Sequence, residues 1–412
     1  MKKIGILFVL IATAGWVSCG GGGSSKPQSN LTFLAKRVFL TNSSTTNGAG
    51  VVSIIDALKD VSGNKAITVS PGTNSIATSI PGKVSVVASK TTNQLSIIDN
   101  TLEGVRTAIS LPAETESMAV TPDGKFAFAA VHNANSIEVI DLSNNVLCTI
   151  STTTCKGPIT VSAATTIVLS GDGKKLLAFS DNPATADSVF VIDVAQATST
   201  GGLTIPPAPI GGFDRAVNAV FASDNSTAYI MNCGPECGGV TAGVRTLNAT
   251  TGVPISALVA VPGGATVGAL DGGNLYVAGT PVANQGLLNG GRVTKLNATT
   301  LALGSAGNLA PGYHDTIAVQ SGKVFVGSRA CALTSPPSTG NQSCLGIFDG
   351  TNAVVSTNYE GDVTGMQAIS GRSVVYVVMG GELRIYDANT SAPQTQQLDI
   401  IGHAEQVVQV DP

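Results

Sequence analysis

Eight times along this chain an alternating apolar run closes on Asp or Asn: 52–56 (VSIID), 95–99 (LSIID), 137–141 (IEVID), 189–193 (VFVID), 244–248 (VRTLN), 293–297 (VTKLN), 345–349 (LGIFD) and 383–387 (LRIYD). From Asp56 to Asp387 the copies recur at a mean spacing of about 47 residues. A period of that size marks a supersecondary unit that buries its faces only by stacking on its neighbours. Alternation with a period of two makes each run a strand. No ten-residue amphipathic stretch lies between the copies, which excludes βαβ architectures.

Each unit has the same internal order. An apolar strand precedes the Asp-ending one, as in 125–130 (KFAFAA), 274–278 (NLYVA) and 323–327 (KVFVG). A polar third strand follows, for example 105–109 (VRTAI), and a small apolar fourth closes the unit, as in 117–120 (SMAV), 218–221 (NAVF) and 316–319 (TIAV). Small side chains suit strands that converge on a narrow axis. The turns 122–124 (PDG), 171–173 (GDG) and 321–322 (SG) supply the positive-φ residues that hairpins demand. Four strands per unit is one blade of a β-propeller. The expected fold is therefore all-β: a single propeller of eight four-stranded blades, with seven as the alternative if one divergent unit is misread. The chain starts on the second strand of a blade and ends on a first strand, 406–410 (QVVQV), so pairing of the N- and C-terminal strands closes the ring.

Residues 115–141, running from TESMAVTPDGKFAFAAV to SIEVID, resemble the repeat of YVTN-type propellers, with its proline-bearing start, PDG turn, aromatic strand and VSVID-like strand. The likeness spans roughly 33–412, strong over the first four units and fainter afterwards. It implies a propeller, most often seven-bladed in that family, and no particular activity, because propellers host both binding and catalysis.

Composition narrows the classes further. Only 12% of the 412 residues are charged while 43% are hydrophobic, which excludes a disordered chain. The 48 glycines exclude a coiled coil or long helical bundle. A formal net charge of −4 leaves no basic excess for a nucleic-acid partner.

The N-terminus places the chain in the cell envelope. Lys2 and Lys3 precede an apolar run from Ile4 to Val17, too short for a bilayer span of about 20 residues and so read as a signal peptide. The run ends in Val17-Ser18-Cys19-Gly20, which resembles the lipobox of bacterial lipoproteins, although Trp16 stands where that pattern has an aliphatic residue. The resemblance implies that Cys19 is lipidated and becomes the mature N-terminus. The expected domains are a lipoprotein signal peptide at 1–18, a Gly/Ser-rich tether at 19–32 and the propeller at 33–412. Gly20 after the cysteine resembles the sorting choice for the outer membrane in enteric bacteria, so a lipid-anchored location on that membrane is favoured, in an exported oxidising compartment.

Six further cysteines fall as near neighbours: Cys148 and Cys155, Cys233 and Cys237, Cys331 and Cys344. An even number in an exported chain reads as disulfides, and six cysteines allow 15 pairings. The local pairing is favoured because each near pair lies within one loop region. No second Cys pair or His cluster with zinc spacing accompanies the 233–237 segment, so no metal is expected.

In a propeller, the loops joining second to third strands and the blade-to-blade connections emerge on one face. That face is expected to carry the long loops 232–243, 280–291 and 328–344, all six cysteines, and His132, His314 and His403. Loops on a rigid scaffold are where binding residues concentrate. The blade-to-blade connections are acidic, holding Glu114, Glu116, Asp214, Asp315, Glu360, Asp362 and Glu405 against Arg215, His314 and His403. Lining an axial mouth, these ten would make a negative funnel suited to a cation or a hydroxylated ligand; as loop charges they would merely be solvated. His314 with Asp315, or His403 with Glu405, could pair a base with an orienting carboxylate.

Specific enzyme signatures are missing from the sequence. The single Trp lies in the signal segment, unlike the tryptophan-marked quinoprotein propellers, and three histidines are too few for a multi-His copper cluster. No C-x-x-C-H haem motif and no G-x-S-x-G elbow occur. Asn248-Ala249-Thr250 and Asn297-Ala298-Thr299 match glycosylation sequons but read as turn chemistry. The favoured function is a monomeric, envelope-anchored, non-catalytic binding module without cofactor, attached to the membrane by its lipid. Its expected partner on the long-loop face is a protein, polymer or small polar ligand. The alternative is an envelope hydrolase, lactonase-like or metal-assisted, working at the acidic axial mouth.

Overall fold

The computed structural model describes residues 31–43, 48–79, 81–203, 206–280, 290–310, 312–331, 344–351, 354–356, 361–395, 398, 400 and 402–411. Cys19 and the tether up to Asn30 lie outside them, as do Glu360 and most of the loops 280–291 and 328–344. Among the described residues no helix is long and apolar enough to cross a membrane.

The repeat becomes an eight-bladed β-propeller. Eight antiparallel sheets follow one another, each built around four strands that run outward from the axis in chain order. The first blade is the exception that closes the ring. Its strands Arg37–Asn42, Gly50–Asp56 and Val61–Val69 come from the N-terminal end, and its innermost strand is Ala404–Gln409 from the C-terminal end. Phe39 faces Val408 and Leu40 faces Val407 across that seam.

The Asp or Asn that ends every repeat has a local cause. Its side-chain oxygen accepts backbone N–H groups two or three residues on: Leu58 for Asp56, Thr101 and Leu102 for Asp99, Ser143 and Asn144 for Asp141. The same holds for Gln196 at Asp193, Thr250 and Thr251 at Asn248, and Thr299 and Thr300 at Asn297. Asp349 and Asp387 repeat it with Thr351 and with Asn389 and Thr390. These are Asx-turns, which satisfy donors that would otherwise be orphaned where the chain reverses. Asn248 and Asn297 are thereby turn residues.

Because each blade packs between two others, both faces of its middle strands are apolar. In Phe126–Val131 every residue after the first is buried, and the same is true of all of Val374–Met379. One such interblade cluster joins Phe128, Ile137 and Val139 to Ile167, Leu176 and Phe190. Burial of this kind is the main stabilising term of the ring.

Three disulfides form with the local pairing: Cys148–Cys155, Cys233–Cys237 and Cys331–Cys344. They fit an oxidising, exported compartment. The second and third lie in long-loop connections. Cys148–Cys155 departs from the expected face. Cys148 continues the outermost strand of the third blade, its N–H donating to Val139, and the strand resumes at Ile159 beside Ile137. The bridge therefore cinches an excursion in the outer edge of that blade, and both sulfurs are buried in the cluster behind it.

Candidate functional site

The innermost strands share a feature that composes the axial mouth. In the first, second, fifth, seventh and eighth blades a residue near the strand's start is extra, with no counterpart on the neighbouring strand. The extra residues are Glu405, Asn74, Val217, Asp315 and Thr364. In the fourth blade the same slip falls between Ala164 and Ile167, at Thr165 and Thr166. A β-bulge leaves one residue out of the ladder and re-aims its side chain, and bulges gather beside functional sites.

A cavity of about 270 Å³ opens here, lined by Thr165 and Thr166 of the fourth blade, Arg215 and Val217 of the fifth, and Tyr313 of the seventh. Cys237 and Asp181 also border it. Tyr313 keeps 42% of its surface open, yet protein crowds the rest of the ring. That desolvation, with the nearby charges of Asp315 and Glu236, pushes its hydroxyl up to about 12. It therefore stays protonated and able to donate.

Five of the six described carboxylates expected to form a funnel have partners. Asp214 accepts the N–H groups of Val240 (3.0 Å) and Thr241 (2.6 Å), capping the loop closed by Cys233–Cys237. Asp315 pairs with Arg329, which stands opposite Tyr313 on the neighbouring strand. Burial dominates at Asp315 and leaves its pKa raised despite that partner. Glu114 pairs with Lys90 at 3.2 Å, and His403 Nδ1 with Glu405 at 3.2 Å. Asp362 accepts the N–H of Ala330 at 2.8 Å. Glu116 is exposed beside His132, whose Nε2 lies 2.9 Å from Asp181 of the next blade; that hydrogen bond raises the imidazole's pKa. The described candidates are thus spread round the rim, with five of six carboxylates in pairs and caps, rather than gathered into one negative surface. Glu360 lies outside the described residues.

His314 and Asp315 do not act as a couple. His314 is 1% exposed, with Nδ1 3.0 Å from the Thr280 hydroxyl, and burial pushes its pKa down to about 4. It is a neutral packing residue under the mouth, while the neighbouring Asp315 turns to Arg329. Among the described residues no three His, Cys, Asp or Glu side chains stand close enough together to hold a metal ion.

Sequence reasoning passed over Glu236, inside the Cys233–Cys237 loop. Its carboxylate accepts the N–H of Thr280 at 3.0 Å and borders a cavity of about 230 Å³ with Pro235, Val261 and Pro262. Burial raises its pKa to about 7, outweighing the Thr280 bond that lowers it. Tyr313, Thr165, Thr166 and Asp181 were likewise unmarked. Tyr313 stands next to the flagged His314, two residues before the bulge at Asp315.

No protein-family model matches the chain. No curated protein is similar to it in sequence at a significant level. Similar folds occur among solved structures. The dihydro-heme d1 dehydrogenase NirN, in complex with DHE, superposes with a TM-score of 0.65 at 10% identity, over 92% of this chain and 75% of that one. Apo AztD from Citrobacter koseri gives 0.59 at 12% identity, covering 91% and 98%. BamB from Moraxella catarrhalis gives 0.54 at 12% identity, covering 84% and 89%. At such identities the likeness is one of fold: the chain is a β-propeller.

Proposed function

We propose that this chain is an envelope lipoprotein that binds a protein, polymer or small polar ligand on its long-loop face without transforming it. In this reading Cys19 carries the acyl chains, the tether lets the propeller stand off the outer membrane, and the propeller works as a monomer. The observation that carries the reading is the state of the rim. Most of its described carboxylates are held in pairs and caps, such as Glu114 with Lys90 and Asp214 on the 240–241 amides, which pre-organises the surface. The test is site-specific photo-crosslinking in intact cells from Glu116 on the long-loop face and from Asp123 on the other. Adducts are expected from Glu116; adducts from Asp123 alone would overturn the reading. Cys19→Ala should abolish incorporation of labelled fatty acid.

A second reading rests on one observation. Glu236, with a pKa near 7, falls in the range where a carboxyl serves as a general acid or base. Hydrolysis of lactone or ester substrates that is lost in Glu236→Gln would support an envelope hydrolase, and a wild-type chain without hydrolysis would dismiss it.

A further inference from the structure

The axial cavity has one cationic group that the fold leaves unspent. Arg215 is half-buried and lines the cavity, and among the described residues its guanidinium has no carboxylate partner. Its backbone is held in the left-handed region at φ 56°, where an arginine is uncommon. Two hydrogen bonds enforce that conformation: its N–H donates to Asp187 Oδ1 at 3.0 Å, and its carbonyl accepts from Cys233 N at 2.8 Å. Its stem passes over Gly239, where a Cβ would stand 2.9 Å from Arg215 Cγ. Asn or Gly would hold this backbone at less cost, and an arginine placed there over a cavity points to use of its side chain.

The geometry points to a binding site for a compact, hydroxylated carboxylate, such as an acidic sugar residue. Its carboxylate sits on the Arg215 fork and its hydroxyls meet Thr165, Thr166 and Tyr313. This rests on the binding-face reading and names its ligand class. One guanidinium offers a bidentate match to one carboxylate. A phosphate dianion would bring twice the charge of a carboxylate against Asp181, which borders the same cavity. The hydroxyls of Thr165, Thr166 and Tyr313, which line the cavity with Arg215, suit the ring of a sugar. The volume, about 270 Å³, is near the lower end of ligand pockets of roughly 300–1,000 Å³, so one monosaccharide-sized unit enters, free or at the end of a polymer.

The experiment is calorimetric titration of the full chain with D-glucuronate, D-glucose and inorganic phosphate, on wild type and three variants. Wild type should bind glucuronate saturably and about tenfold or more tighter than glucose, the worth of one charged hydrogen-bonded contact. Arg215→Asn should lose about that factor while its melting temperature holds or rises, because Asn tolerates the left-handed backbone. Arg215→Lys, which keeps the charge but not the fork, and Tyr313→Phe should each weaken glucuronate severalfold. Glucose binding as tightly as glucuronate, phosphate displacing it, or Arg215→Asn binding undiminished would overturn the assignment. So would a wild type that takes up no glucuronate, or an Arg215→Asn variant that melts markedly earlier, which would make Arg215 a structural residue. Crosslinks from the long-loop face would still stand in each case, so failure here is distinct from failure of the binding-face reading.

Discussion

The guanidinium of Arg37 grips the carboxylate of Asp411 through two parallel hydrogen bonds, Nε to Oδ2 at 2.7 Å and Nη2 to Oδ1 at 2.8 Å. Arg37 stands at the start of the first N-terminal strand and Asp411 two residues past the last C-terminal one. The pair is thus a side-chain clasp over the seam that closes the ring. Arg37 also reaches the Asn100 carbonyl and Glu103 in the second blade, and Glu103 takes the N–H and hydroxyl of Thr32. Both partners are mostly buried, with side chains 12% and 21% exposed. Breaking one end should therefore cost more than a surface ion pair does: about 2 kcal/mol for Arg37→Met or Asp411→Asn in urea unfolding. A double-mutant cycle should show coupling, because each change removes the same contact. Additive effects would mean that the seam is held by backbone pairing alone.

A second seam contact predicts acid sensitivity. Asp60, in the turn of the first blade, accepts from Tyr376 Oη at 2.6 Å and Arg372 Nη2 at 2.9 Å, both in the eighth blade. Burial by itself would raise the Asp60 pKa, but these bonds outweigh it and hold the carboxyl below its ordinary 3.8. The folded state thus favours the ionised form. Its contribution is present above about pH 4 and is lost as pH falls through the depressed folded value. Asp60→Asn should flatten the acid limb of a stability–pH curve measured between pH 2 and 6. An unchanged limb would assign acid unfolding to other carboxylates.

What was legible in the sequence was whatever local chemistry encodes. The eight Asp/Asn residues that marked the repeat are Asx-turns, made within three residues of themselves, so they survive even in the faint units such as 244–248. The alternating strands and the late closing strand followed from the same period. The site was less legible because it depends on register and backbone twist. A bulge inserts Asp315 between two paired residues, sending it to Arg329 while adjacent His314 goes inward to Thr280. Arg215 carries a positive φ that composition does not announce. Glu236 gains its unusual pKa from a pocket assembled by the next blade.

The Cys233–Cys237 bridge is expected to govern the mouth more than the ring. It closes a separation of only four residues, so the chain-entropy model gives it about 2 kcal/mol. Its loop is also tied by Asp214 to the amides of Val240 and Thr241. Replacing both cysteines with Ala should leave cooperative unfolding intact, while exchange at those two amides speeds up about tenfold through local opening. Unchanged exchange would show that Asp214 alone holds the loop.

Glu236 supplies a prediction of opposite sign to Asp60. Burial raises its folded pKa to about 7 from an ordinary 4.5, so the fold prefers the protonated acid. Between those values the unfolded chain gives up its proton while the folded chain keeps it, and stability falls as pH rises. Above pH 7 both states are ionised and the loss stops growing, at about 3 kcal/mol for a shift of this size, at roughly 1.4 kcal/mol per pKa unit. Glu236→Gln keeps an oxygen for the Thr280 N–H, with which Glu236 makes its 3.0 Å bond, and carries no charge. The variant should therefore match wild type near pH 4.5 and become progressively more stable than it up to pH 7, the gap then holding level to pH 8. Urea unfolding of both chains across that range decides it. A gap that does not change with pH would mean that the carboxylate is solvated and that the pocket beside the disulfide is open to water.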